Sequence, residues 1–188
     1  MKKVIKVILI TFFSLFVIVG AVLAYHGYFS TYEIYEKEVG PYTFATKRFV
    51  GDYYKVGPTM TEVDNELREI GVLATKGVGI FYDDPSVVPE DQLRSDVGNV
   101  LEDVSDAQLA EIGEKFDVKN IDRQTAVVVD FPIKSSLSYM IAPMKVYPLI
   151  NQYWEEKNYP AQVIDGYSME IYDIEGKVTR YIMPIPAK

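Results

Sequence analysis

Alternating apolar and polar positions recur along the chain and predict a mainly antiparallel sheet. Four short runs of this kind span 32–39, 42–49, 77–84 and 93–101, and Gly, Pro and Asp residues separate them. Between the second and third runs, apolar residues follow a helical spacing, and Thr59 with Glu62 predicts a capping box at the start of that helix. The apolar helical positions are Met60, Val63, Leu67 and Ile70. The first half therefore predicts the order strand, helix, strand, strand.

The same order returns in the second half of the chain. Residues 125–132 predict a strand, 142–158 a helix with Pro148 in its first turn, and 166–173 and 177–185 two more strands. The segment GIFYD (79–83) aligns with MEIYD (169–173), and 102–122 is interpreted as a connection with a short helix near 107–114. We predict an α+β fold in which two tandem strand-helix-strand-strand units form one antiparallel sheet about a pseudo-twofold axis.

An N-terminal apolar segment precedes this domain. Three lysines are followed by an uncharged stretch from Val7 to Ala24, which is close to the ~20 residues that span a bilayer as a helix. A cleavable signal peptide is the alternative, but the apolar stretch is longer than the usual core of roughly 7 to 15 residues and favours an uncleaved transmembrane helix. We assign 1–28 to this segment and 29–188 to the domain. The lysines predict a single-pass protein with a cytoplasmic N-terminus and an extracytoplasmic domain.

Composition removes several classes of function. The chain has no cysteine, so disulfides and thiolate metal sites are excluded, and its single histidine, His26, adjoins the apolar segment. The serines at 135, 136 and 138 therefore lack a histidine base within the domain. The net charge of −8 argues against a nucleic-acid partner. The acids of 83–91 lack the spacing of a calcium loop and predict a solvated turn, so we expect neither a metal nor a cofactor.

The strand at 166–173 contains an unexpected carboxylate, Glu170. Because residues two apart share a face of a strand, Glu170 lies with Ser168 and Tyr172, and the apolar Met169 and Ile171 are expected to pack on the helices. The alignment of the two halves adds Ile80 and Tyr82 to the face of Glu170. This face would form an aromatic groove with one negative charge, which favours cationic amphipathic ligands. The alternative is that Glu170 is simply a solvated residue on an exposed strand face.

Three motifs together resemble one known family. YDDP (82–85) followed by LRSDVG (93–98), RFVGDYY (48–54) and the late EIY (170–172) are similar to the motifs of GyrI-like small-molecule-binding domains, which also occur as effector modules of bacterial multidrug-responsive activators. The resemblance covers about 32–185 and implies a fold of two strand-helix-strand-strand halves about a pseudo-twofold, which the N-terminal apolar segment would make a membrane-anchored version. It implies that the ligand-contacting glutamate of the family is Glu170, with Tyr172 beside it, and Tyr139 matches a second-half tyrosine only loosely.

The sequence therefore predicts a membrane-tethered domain that binds a hydrophobic or cationic aromatic small molecule without catalysis. The candidate ligand-binding residues are Glu170, Tyr172, Tyr82, Ile80, Tyr54 and Tyr139. One alternative is a hydrolase of strained electrophiles that uses Glu170 and tyrosines, because some relatives resemble such enzymes. A second alternative is a protein-interaction module of a membrane complex. The oligomeric state is left open.

Overall fold

The computed structural model describes residues 2–160 and 166–186 and contains four α-helices and eight strands in these ranges. Two short 3-10 helices, Tyr53–Lys55 and Glu90–Gln92, are also present. The helices are α1 Lys2–Tyr25, α2 Gly57–Glu69, α3 Asp106–Lys115 and α4 Ser138–Glu156. The strands are β1 Tyr35–Val39, β2 Tyr42–Val50, β3 Lys76–Phe81, β4 Arg94–Val100, β5 Asp117–Ile121, β6 Gln124–Pro132, β7 Ser168–Asp173 and β8 Val178–Pro184.

All eight strands form one antiparallel sheet in the order β1-β6-β8-β7-β3-β4-β2-β5. The unit β2-α2-β3-β4 occupies one half and β6-α4-β7-β8 the other, and the third element of each unit meets its counterpart at the centre. This arrangement confirms the predicted fold class and its pseudo-twofold symmetry. Each edge strand pairs with the unit that does not directly follow it in the chain. Strand β1, which precedes β2, pairs with β6, and β5, which precedes β6, pairs with β2. The sequence pattern did not predict β5.

The curled sheet buries both of its faces. One face forms a core of strand residues that includes Ile80, Met169 and Ile171. The helices cover the opposite face, where α4 packs on Val127 and Tyr181 and where α2 and α3 form a second cluster. The expectation that Met169 and Ile171 pack on helices was therefore wrong. Curling gives the apolar strand face partners from other strands, so it needs no helix to exclude water.

Two local predictions about the helices were also wrong. Helix α2 begins at Gly57, so Thr59 lies inside its first turn, and the helix has Pro58 at the start in place of a capping box. A capping box does occur at α3, where Ser105 and Gln108 bond each other's backbone N–H groups. Helix α4 begins at Ser138, so Pro148 lies in its middle. Pro148 is on the exposed side, where water can bond the carbonyl that proline leaves without a helical donor.

Gly98, the glycine of the LRSDVG motif, permits two strands to approach closely. A Cβ atom at this position would lie 2.0 Å from the backbone oxygen of Ala45 on the neighbouring strand β2. We expect Gly98→Ala to lower the free energy of unfolding by roughly 1–3 kcal/mol, the usual cost of overpacking, as measured by urea denaturation. Gly113→Ala is the matched control, because a Cβ there meets no described atom within 4 Å and alanine favours helix α3. Equal stability of the two variants would contradict this reason for the glycine.

Candidate functional site

A cavity of about 770 Å³ lies on the helix-covered face of the sheet, where the two halves meet. Strand β7 contributes its polar face, α4 forms one side, and the segments around Tyr53 and 81–85 form the other. This volume is within the range of small-molecule sites. The lining residues are mainly aromatic or acidic, and they include Asp52, Tyr53, Tyr54, Phe81, Asp83, Tyr139, Met144, Tyr147, Trp154, Ser168, Glu170 and Tyr172.

Glu170 is the buried charge of this cavity, with only 5% of its surface exposed. Its Oε1 accepts a hydrogen bond of 2.8 Å from the Tyr147 hydroxyl, and its Oε2 accepts one of 2.8 Å from the Tyr172 hydroxyl. Within residues 2–160 and 166–186, no basic side chain forms an ion pair with it. Two neutral donors therefore hold a carboxylate that has no counter-charge among the described residues.

Burial raises the pKa of Glu170 to about 7, and the two tyrosine hydrogen bonds only partly oppose this rise. Burial and the neighbouring carboxylate raise the pKa values of Tyr147 and Tyr172 well above their usual range, so both phenols remain protonated donors. The Glu170 carboxyl is thus close to half-ionised at neutral pH. A cation bound beside it would favour the ionised form, because an opposite charge lowers the pKa of an acid.

Two glycines of β3 lie beside the Tyr172 side chain. Gly79 pairs directly with Glu170, and Gly77 pairs with Tyr172. A Cβ at Gly77 would lie 3.4 Å from the Tyr172 ring, and one at Gly79 would lie 3.5 Å from its hydroxyl oxygen and 2.6 Å from the Phe81 ring. A Cβ at either position would touch Tyr172 only at ordinary van der Waals distance, whereas at Gly79 it would displace the Phe81 ring.

The structure does not place Ile80 and Tyr82 with Glu170 on one face. Ile80 pairs with Met169 in the strand core, and the Tyr82 hydroxyl donates to buried Asp96 on that same face, although Tyr82 borders the cavity at the end of β3. The alignment of 79–83 with 169–173 was wrong by one residue, because a twofold axis through the sheet keeps equivalent residues on one face. Shifting the alignment by one position makes Gly79 the equivalent of Glu170, and equivalent residues of the two halves then lie on the same face of the sheet.

The other predicted tyrosines border the cavity together with Glu170. Tyr172 bonds the carboxylate, and the Tyr139 ring meets the Tyr172 ring edge-on at a centroid distance of 5.7 Å. Tyr54 is 62% exposed and lies at the opposite side of the cavity. Their roles in ligand binding stay predictions.

Sequence reasoning missed Tyr147, which donates to Glu170, and Tyr181, which is buried and lies opposite Glu170 on β8. The Tyr147 and Tyr181 rings meet edge-on at 5.6 Å. A signal for Tyr147 was present in the sequence, because cavity-lining residues recur every four positions along α4. These residues are Tyr139, Pro143, Tyr147 and Asn151.

A second polar cluster joins the end of α1 to the start of α4. His26 is buried, and its Nδ1 lies 3.1 Å from the Oγ of Ser138. The sequence interpretation separated this histidine from the serines, so that part of it was wrong. The Ser138 hydroxyl is itself buried and accepts a hydrogen bond from the backbone N–H of Lys134, in the loop before α4. The arrangement holds two segments together and does not present a nucleophile to the cavity.

Comparison with known proteins is consistent with this geometry. Residues 32–186 match the family described as the GyrI-like small molecule binding domain. The chain belongs to the GyrI-like family. The matched residues include both halves of the sheet and every residue of the cavity described above, and they leave α1 outside the GyrI-like domain.

Two curated relatives are similar in sequence to part of the chain. The testis-expressed protein 264 homolog of Mus musculus is 29% identical over 124 residues, and testis-expressed protein 264 of Homo sapiens is 30% identical over 124 residues. Each match covers 61% of this chain, but only 38% of the mouse protein and 37% of the human protein. The chain therefore spans well under half the length of these relatives.

Two solved structures share the fold of the GyrI-like domain. The C-terminal domain of EcmrR has a TM-score of 0.55 at 15% identity and covers 84% of this chain and 99% of its own. SAV2435, solved bound to tetraphenylphosphonium, has a TM-score of 0.54 at 13% identity and covers 84% of this chain and 94% of its own. At these identities the likeness establishes the fold.

Proposed function

We propose that the chain is a membrane-attached GyrI-like domain that binds cationic aromatic small molecules beside Glu170 without transforming them. The observation that carries this proposal is a buried carboxylate with two tyrosine donors, no basic partner among the described residues and an aromatic cavity next to it. Ring faces and a weakly hydrated carboxylate both attract organic cations. The tetraphenylphosphonium bound to SAV2435, a protein of the same fold, supports this ligand class.

The pH dependence of binding tests the proposal. Because ionised Glu170 attracts a cation more strongly than the neutral acid does, and its pKa is about 7, we expect tetraphenylphosphonium affinity to rise by roughly three- to tenfold from about pH 6 to pH 8. The single tryptophan, Trp154, borders the cavity, so its fluorescence reports occupancy. Triphenylphosphine oxide, a neutral aromatic of similar shape, is the control and should bind equally at both pH values. A cation affinity that is independent of pH would refute the role of Glu170 as counter-charge.

A hydrolase is the second candidate, and the Glu170 pKa of about 7 supports it. A carboxylate with a pKa near the working pH can act as a general base toward water. Product analysis with a reactive electrophile, such as an epoxide, distinguishes turnover from binding. Turnover that Glu170→Gln abolishes would favour this candidate, whereas recovery of unchanged electrophile favours the binding domain.

The N-terminal helix supports membrane attachment. In the described part of the chain, one helix, Lys2–Tyr25, is long and apolar enough to cross a membrane, with a mean hydropathy of 2.9. A signal sequence would satisfy the same criterion. With three lysines before it, we expect the domain to lie outside the cytoplasm, so protease added to intact spheroplasts should digest it. Full protection of the domain, or release of a soluble form that begins near Tyr25, would contradict this topology.

A further inference from the structure

The end of α1 is fixed against the first turn of α4. Besides the contact of His26 with Ser138, the Lys134 ammonium donates a 2.6 Å hydrogen bond to the backbone oxygen of Tyr25. Leu23, from the last turns of α1, packs into the same cluster as the buried face of α4. If α1 spans a membrane, these contacts hold the start of α4 at the membrane surface.

This part of α4 exposes large apolar side chains where a soluble helix normally presents polar ones. Leu137, Met140 and Met144 are 44%, 54% and 56% exposed, and their spacing of three and four positions places them on one side of the helix. The opposite side is already buried against the sheet, so this is a second apolar stripe. The stripe lies beside the end of the apolar helix α1, and this position points to a lipid surface as the partner of the stripe.

The charges along the segment that carries the stripe also suit a lipid surface. The chain carries 27 acidic residues, yet none lies between Phe131 and Trp154, where Lys134 and Lys145 are the charged groups. An interfacial helix typically combines an apolar side with lysine or arginine and excludes acids, because phospholipid surfaces are often anionic. Acids resume at Glu155, near the end of α4 that is remote from α1.

The same helix borders the cavity. Tyr139, Pro143 and Met144 line it, and Met144 belongs to both the exposed stripe and the cavity edge. We propose that Leu137, Met140 and Met144 lie in the membrane interface and that the cavity receives its ligand from the lipid phase, so that its ligands are membrane-partitioned amphipaths. This inference rests on the membrane attachment proposed above.

Single-cysteine labelling tests the contact in the full chain, which has no native cysteine. A fluorophore is attached at Met140→Cys, and the protein is reconstituted in phosphatidylcholine vesicles that contain doxyl-labelled lipid. Phe13→Cys within α1 is the reference for membrane insertion, and Leu73→Cys, an exposed apolar position in the other half, is the matched control. We expect at least about twofold more quenching at position 140 than at position 73, together with strong quenching at position 13.

The outcomes separate this inference from the attachment itself. Quenching at position 13, with no more at 140 than at 73, overturns the contact and leaves α1 in the membrane. No quenching at position 13 overturns both. A disulfide-linked dimer of unlabelled Met140→Cys, formed in place of lipid quenching, would show that a second copy of the chain covers the stripe, and this result also overturns the contact.

The route of the ligand is tested with Met140→Glu, which does not alter a cavity-lining residue. Tetraphenylphosphonium is preloaded into vesicles, and its arrival is followed by Trp154 fluorescence. We expect transfer to the variant to be at least about fivefold slower, because a charge at 140 lifts the stripe from the interface. Equilibrium affinity in detergent micelles should match that of the unaltered chain. Equal transfer rates for both proteins would overturn entry from the lipid phase.

Discussion

Replacing Glu170 with glutamine is expected to weaken tetraphenylphosphonium binding by roughly 5- to 150-fold at pH 8, which corresponds to about 1–3 kcal/mol for a charge-assisted contact. Glutamine keeps the shape of the side chain and can still accept a hydrogen bond from one of the two tyrosines, whereas the negative charge is lost. The loss should shrink toward pH 5, where Glu170 is itself neutral because its pKa is about 7. Titration of Trp154 fluorescence measures both affinities.

Glu36 provides a matched control for this substitution. Its Oε1 also accepts hydrogen bonds from two tyrosine hydroxyls, those of Tyr153 and Tyr159, but Glu36 is exposed and lies outside the cavity. Glu36→Gln should leave cation affinity unchanged. If the two variants lose affinity equally, the effect arises from the overall charge of the protein and the cavity carboxylate has no special part in binding.

The same Glu170→Gln variant is expected to be more stable than the unaltered chain above neutral pH, by up to about 3 kcal/mol at pH 8. The folded-state pKa of Glu170 is raised to about 7 from an ordinary value of 4.5, so the folded state binds more protons than the unfolded state between these values. Stability therefore falls as the pH rises through this window. Glutamine carries no titrating proton and removes this loss, whereas at pH 4 the two proteins should be nearly equal.

Urea denaturation in mild detergent at several pH values measures this difference. Glu36→Gln is again the control and should show the opposite sign, because tyrosine hydrogen bonds lower the pKa of Glu36 and its ionised form favours the folded state. A Glu170→Gln variant whose stability relative to the unaltered chain is independent of pH would show that the carboxyl is not destabilised by burial. A gain in stability of the Glu170→Gln variant, together with its loss of affinity, would mean that the buried charge of Glu170 lowers the stability of the fold while it strengthens ligand binding.

Local periodicity was sufficient to predict the elements that build the site. Alternation placed Ser168, Glu170 and Tyr172 on one face of a strand, and the repeated order of elements predicted the pseudo-twofold sheet that the structure contains. These predictions depend on residues only a few positions apart, so the sequence contains the information that they require. The same holds for the apolar run of α1, which is a property of composition alone.

Long-range packing decided which face of the sheet became the site. Met169 and Glu170 are both buried, so alternation could not indicate which face the helices cover, and the curl that buries the second face depends on pairing among distant strands. The correct alignment of the two halves, which is shifted by one residue, could not be recognised from the sequence either, because GIFYD and MEIYD look most alike in the wrong register.

The sequence was sufficient to predict the α+β duplication, the apolar helix and the candidate carboxylate, because each follows from spacing or composition within a short segment. Tertiary packing was needed to bring the Tyr147 hydroxyl of α4 to Glu170, to place Gly79 opposite Glu170, and to bring His26 to Ser138, 112 positions away. Contacts of this kind depend on how helices and strands pack together, and that packing reflects the whole chain. The chemistry of Glu170 is set by these neighbours, since burial raises its pKa and two phenols hold its oxygens.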